Sequence, residues 1–101
     1  MKRTVVIIDK TFGVFLGAYQ NLAIFSKNDS FGIPRAAGFD SELAAESYAL
    51  KNMPQYSNNM FYASVQSKLE YPDAIEIIKA GYGEHLGRMF DTIPMISTEI
   101  H

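Results

Sequence analysis

Two architectures compete for Gly13-Val14-Phe15-Leu16-Gly17-Ala18-Tyr19-Gln20-Asn21-Leu22-Ala23-Ile24-Phe25-Ser26. Phe15, Tyr19, Leu22 and Ala23 fall at helical spacing, and a run this short does not decide by periodicity alone. The same residues also divide into two apolar runs, 14–18 and 22–26, separated by Tyr19, Gln20 and Asn21, which suits two strands joined by a tight antiparallel connection. The glycines tip the balance toward strands. Inside a helix Gly17 costs about 1 kcal/mol relative to alanine, whereas in a strand a glycine marks a bulge or a close approach of backbone. Two strands are the expectation, with a helix over the same residues as the alternative.

Upstream, residues 4–8 place β-branched side chains consecutively, as expected for a central strand buried on both faces, and Asp9, Lys10 and Thr11 then turn the chain. Downstream, residues 27–38 are dense in turn formers (Asn28, Asp29, Ser30, Gly32, Pro34, Gly38) and read as an ordered loop with an exposed tip and a short strand near residues 35–37. Asp40 or Ser41 then caps a helix running to about Asn52, with Glu42 in its positive first turn, Phe39 folding back on it and Pro54 blocking its continuation. Leu43, Ala44, Ser47 and Leu50 make one face of that helix and Ala45, Tyr48 and Ala49 lie beside it. The polar face carries Glu42, Glu46 and Lys51.

Residues 55–59 are a polar connector. Residues 60–66 alternate as a strand, with Phe61, Ala63 and Val65 on one side and Tyr62 and Ser64 on the other, an arrangement that implies one wet face. Pro72 and Asp73 open a second helix with an apolar stripe of Ala74, Ile75, Ile78 and Tyr82, ended by Gly81. A short turn of helix is expected over residues 84–90. Residues 91–101 show no persistent period and read as an extended or frayed tail. The fold class is therefore α+β: a small, mainly antiparallel sheet of three to five strands with two helices packed on one face, residues 1–90 forming a single compact domain.

The composition fits that size. A chain of 101 residues buries roughly two-thirds of its unfolded surface, enough for one core without staples. There is no cysteine, which excludes a disulfide framework, thiolate chemistry and cysteine zinc sites. Apolar residues at 48% and charged residues at 20% are an ordinary globular balance. A net charge of −2 without a dense block of Lys or Arg disfavours nucleic acid. Lys2 and Arg3 precede an apolar run too short for a signal peptide, and no stretch approaches the ~20 apolar residues of a membrane span, so the expected location is the cytoplasm.

No motif supplies self-contained chemistry. Gly81, Gly83 and Gly87 approach the dinucleotide fingerprint but follow a helical pattern rather than a strand, so a helix cap accounts for them. His85 and His101 are the only imidazoles and carry no metal-ligand spacing. Glu84 and His85 point in different directions on a helix, and Ser26 and Lys27 to opposite sides of a strand, which separates each pair. The carboxylates of Asp29 with Asp40, or of Glu70 with Asp73, have no specificity as pairs. No catalytic, cofactor-binding or metal-binding residue is assigned, and no cofactor is expected.

The aromatic residues say more. Phe12, Phe15, Phe25 and Phe61 read as core, whereas Tyr56, Tyr62, Tyr71 and Tyr82 flank loops or the wet strand face, where ordinary partial burial is the first expectation and an exposed patch suited to protein contacts the second. The candidate partner-binding residues are accordingly Lys27, Asn28, Asp29 and Arg35 of the loop, with Tyr56, Tyr62 and Tyr82. Residues 13–17 (Gly-Val-Phe-Leu-Gly), residues 22–27 with Asp29 following, Phe39-Asp40-Ser41 and Ala44-Ala45 resemble uncharacterised small accessory proteins of bacteriophage and prophage genomes, over roughly residues 5–81. That resemblance implies a stoichiometric binder that blocks or redirects a bacterial host enzyme or defence protein, not a catalyst. Two further possibilities stand beside it: a small-ligand-binding protein or enzyme with a pocket near residues 13–17, Asp29 and residues 81–87, and a homo-oligomer joined through an edge strand.

Overall fold

A computed structural model describes residues 3–19, 21–27, 33, 35–66 and 90–95. Their elements include β1 (Arg3–Asp9), β2 (Gly13–Tyr19), β3 (Leu22–Ser26), α1 (Glu42–Asn52), a 3₁₀ turn (Ser57–Asn59), β4 (Met60–Gln66) and β5 (Asp91–Pro94), and Ile33 and Arg35 are also helical. The strands form one sheet in the order β4-β1-β2-β3-β5, every neighbouring pair antiparallel. The second helix expected from Pro72 and the turn near residues 84–90 lie outside the described residues.

The ambiguous stretch is a hairpin. Tyr19 pairs with Leu22, and Asn21 sits in the left-handed region at φ 63°, which asparagine tolerates better than most residues. Gly17 follows a bulge: the β2–β3 register shifts between Phe15 and Gly17, and Gly17 takes φ 137°. Gly13 has a different reason. At φ 99° it lies so close to β3 that a Cβ would land on the carbonyl oxygen of Ser26.

β1 and β2 pair only at their shared turn, Ile8 with Val14 and Asp9 with Gly13. Beyond it the two strands part and residues 37–39 join them. The Val5 N–H donates to the Phe39 carbonyl (2.9 Å), the Phe39 N–H donates back to Val5 (2.8 Å), and the Ala37 N–H donates to the Phe15 carbonyl (3.1 Å). The short strand expected over residues 35–37 is corrected: Arg35 is helical, and the strand-like bridge sits at Phe39, where the opened strands leave unpaired groups for residues 37–39 to satisfy.

Ser41, not Asp40, caps α1, its hydroxyl accepting from the Ala44 N–H at 3.0 Å. Glu42 and Lys51 stand at the ends that favour their charges, and Pro54 follows the final turn closed by Met53 N–H to Ala49. The face turned to the sheet is Ala45 and Ala49 with Tyr48, the small-residue side that the sequence sets beside Leu43 and Leu50, and those two leucines are 72% and 54% exposed. Size decides this. The sheet side is filled by Phe15 and Phe25, and alanines let the helix axis approach such rings without overpacking.

The core between sheet and helix gathers Ile7, Phe15, Ala23, Phe25, Met60 and Ile93 against Ala45, Ala49 and Met53. Through it runs a row of rings from Tyr56 to Phe12, Phe25, Phe15, Tyr48 and Phe39, with successive centroids 5.3–6.1 Å apart. Val6, Val14 and Ile24 are buried too, so consecutive residues of β1 point into cover on both sides, as its β-branched run predicts. Phe61 departs from expectation at 45% exposed. The β1–β4 register opposes Met60 to Asp9 and Tyr62 to Ile7, which gives the helix side of β4 to Met60 and Tyr62 instead. The stretch read as a tail from residue 91 supplies β5, an extended edge strand integrated into the sheet along β3.

Candidate interaction surface

The expected contact residues do not converge on one patch. Lys27 is exposed at the end of β3, with its Nζ 3.6 Å from Asp91 Oδ2, an open pair worth at most about 1 kcal/mol. Arg35 is half-buried. Tyr56 and Tyr62 are half-buried as well, packed against the core, with Tyr56 edge-on to Phe12. Asn28, Asp29 and Tyr82 lie outside the described residues. Burial raises the Tyr62 phenol above its ordinary value near 10, and the Glu46 carboxylate adds to the rise; burial alone raises Tyr48. Both phenols stay protonated at neutral pH.

The most developed polar cluster was not singled out as a site by its sequence. Asp9 is 1% exposed, and its Oδ1 accepts from the Thr11 N–H (2.8 Å), the Phe12 N–H (2.9 Å) and Asn59 Nδ2 (2.9 Å). Asn59 Nδ2 also donates to Thr11 Oγ1 (2.8 Å), and the Asn59 carbonyl accepts from the Lys10 N–H (2.9 Å). This ties the β1–β2 turn to the start of β4, a structural task that buried acceptors do well. Asp9 Oδ2 is buried without a hydrogen bond.

Beside this corner lies an open depression of about 490 Å3, lined by Ile8, Asp9, Lys10, Thr11, Gly13, Lys27 and Phe61. It touches Gly13, where a ligand pocket was the alternative expectation; Asp29 and residues 81–87, its other expected walls, lie outside the described residues. Alternation along β1 turns Ile8 to the side away from the helix and Asp9 to the opposite side, with Val5 and Ile7. The depression therefore does not draw the unpaired carboxylate oxygen and the apolar floor to one point. Ser26 is buried and Lys27 exposed. Among the described residues no three His, Cys, Asp or Glu side chains gather as a metal site, and no helix is long and apolar enough to cross a membrane.

What remains is the outside of α1. Leu43 and Leu50 are seven residues apart, within about 20° of two full turns, so they share a meridian, about 150° round the helix from Ala45 and about 110° from Ala49. They and Phe61 are the large apolar side chains turned to solvent among the described residues. Comparisons with protein-family models, curated proteins and solved structures give no match.

Proposed function

We infer that this chain is a non-enzymatic protein-binding module of phage or mobile-element origin, acting by occupying a surface of a bacterial host or defence protein. The observation that supports the reading is the inversion on α1, where alanines face the core and leucines face water. Scattered exposed leucines are common, but two on one meridian of a three-turn helix form a stripe, and stripes of this kind serve contact. The resemblance to phage accessory proteins points to the same class of partner.

The test is capture from bacterial lysate with the wild-type chain and with a Leu43→Lys/Leu50→Lys variant of equal thermal midpoint. A protein held by the first and lost by the second supports the reading. No retained partner at any salt concentration, or equal retention by both chains, counts against it. The small-ligand alternative ranks behind, because its depression is open.

A further inference from the structure

The charges that flank Leu43 and Leu50 say what fits this stripe. In heptad terms the two leucines take successive d positions. Ser47 is then the intervening a, Glu46 the g, and Ala44 and Lys51 the two e positions. Glu46 and Lys51 are both exposed, one on each flank of the stripe. Two such helices side by side and parallel place Leu43 against Leu43 and Leu50 against Leu50. They also set Glu46 of each opposite Lys51 of the other, five residues further on, which is the g-to-e pairing of parallel helices. An antiparallel alignment about the middle of the stripe sets Glu46 against Glu46 instead. Ser47, small and polar, lets the axes approach without adding bulk between the leucine layers.

We propose that the outer face of α1 is a self-association surface, and that its occupant is α1 of a second copy of this chain, parallel and related by a twofold axis along the helices. This rests on the reading of the leucine stripe as a contact surface and gives it a second occupant, with which a host protein competes for the same stripe. An interface of two leucines and one ion pair per copy is smaller than the roughly 1,600 Å2 of a stable complex, so the equilibrium is a weak one that responds to concentration. Twofold symmetry makes each contact occur twice, which is how so short a helix gains from it.

The experiment uses the full chain. Sedimentation velocity over a hundredfold concentration range is expected to show a weight-average mass rising toward that of a dimer. Leu43→Glu and Leu50→Glu abolish the rise, while circular dichroism and the thermal midpoint remain those of the wild type. Glu46→Lys alone and Lys51→Glu alone weaken it, and the two together restore it. Because the chain contains no cysteine, Leu50→Cys introduces a single thiol. In the parallel pair mild oxidation cross-links that variant to itself in high yield. Cross-linking only in a mixture of Leu43→Cys and Leu50→Cys chains means an antiparallel pair and overturns the proposal. A mass that stays monomeric up to the solubility limit, or a dimer untouched by the leucine substitutions, also overturns it. If the chain is monomeric yet still loses its lysate partner through Leu43→Lys/Leu50→Lys, self-association fails and the binding-module reading stands.

Discussion

The Asp9 corner and the outer face of α1 treat polarity in opposite ways. At the corner a carboxylate is taken out of water and held by two backbone N–H groups and a side chain fifty residues away in sequence. On the helix, two leucines are left in water over a layer of alanines. Hydrophobicity alone predicts the reverse of both. The corner fixes geometry, because a buried acceptor left without its donors, or donors left without their acceptor, is costly and so specifies one arrangement. The helix face contributes little to the isolated fold, since its side chains give up little solvent contact on folding. Mutational sensitivity should therefore be high at small or polar positions of the corner and low at the leucines.

The strongest way to break that contrast is Gly13→Ala. A methyl group at φ 99° meets the Ser26 carbonyl, and we expect a loss of about 3 kcal/mol or more in urea unfolding. A near-neutral result would mean that the strands do not approach there as described. Asp9→Ala comes next, stranding the donors of Thr11, Phe12 and Asn59 at a cost of about 2–3 kcal/mol, readable as a lower denaturation midpoint with unchanged slope. By contrast, Leu43→Lys and Leu50→Lys at protein concentrations below association should each stay within about 0.5 kcal/mol of the wild type. A loss of 2 kcal/mol at either would place it in the core and end the distinction.

The smallest effect is at alkaline pH. The phenols of Tyr48 and Tyr62 titrate higher in the folded chain than their ordinary value of 10.0, so folding favours their protonated form. The stabilisation is complete below pH 10, where both states are protonated, and is lost as pH rises through the folded-state values. Unfolding midpoints should fall above pH 10, and the fall should be shallower in Tyr48→Phe and Tyr62→Phe. An unchanged slope in both variants would remove the tyrosines from the explanation.

Local chemistry made much of this fold legible. Consecutive β-branched residues in β1, the glycines of β2, the cap at Ser41 and the stop at Pro54 each act within a few residues of themselves, and each reads correctly. The errors have a common origin in tertiary choice. Which face of α1 meets the sheet is not written in the helix itself: the phenylalanines on the sheet take the volume, so Ala45 and Ala49 turn inward and Leu43 and Leu50 outward. Phe61 looked inward because it alternates with Ala63 and Val65, but pairing with β1 gave that side of the strand to Met60 and Tyr62. β5 is four residues long and ends in Pro94, too short for a period to show. The turn at Asp9 was visible, and an aspartate before Thr11 and Phe12 is the usual signal of a side chain closing its own turn. Its tie to Asn59 depends on a contact no local pattern encodes.

The junction made by residues 37–39 has a kinetic consequence. The first two strands touch only at their tip, so the mouth between them stays open until a segment some twenty residues downstream slides in and zips both sides. That insertion closes a longer loop than the hairpin itself, so it costs more chain entropy to form. The amide protons of Val5, Ala37 and Phe39 therefore answer to a single latch: whatever lifts the segment out exposes all three to exchange at once, and leaves Ile8 and Val14 still clasped.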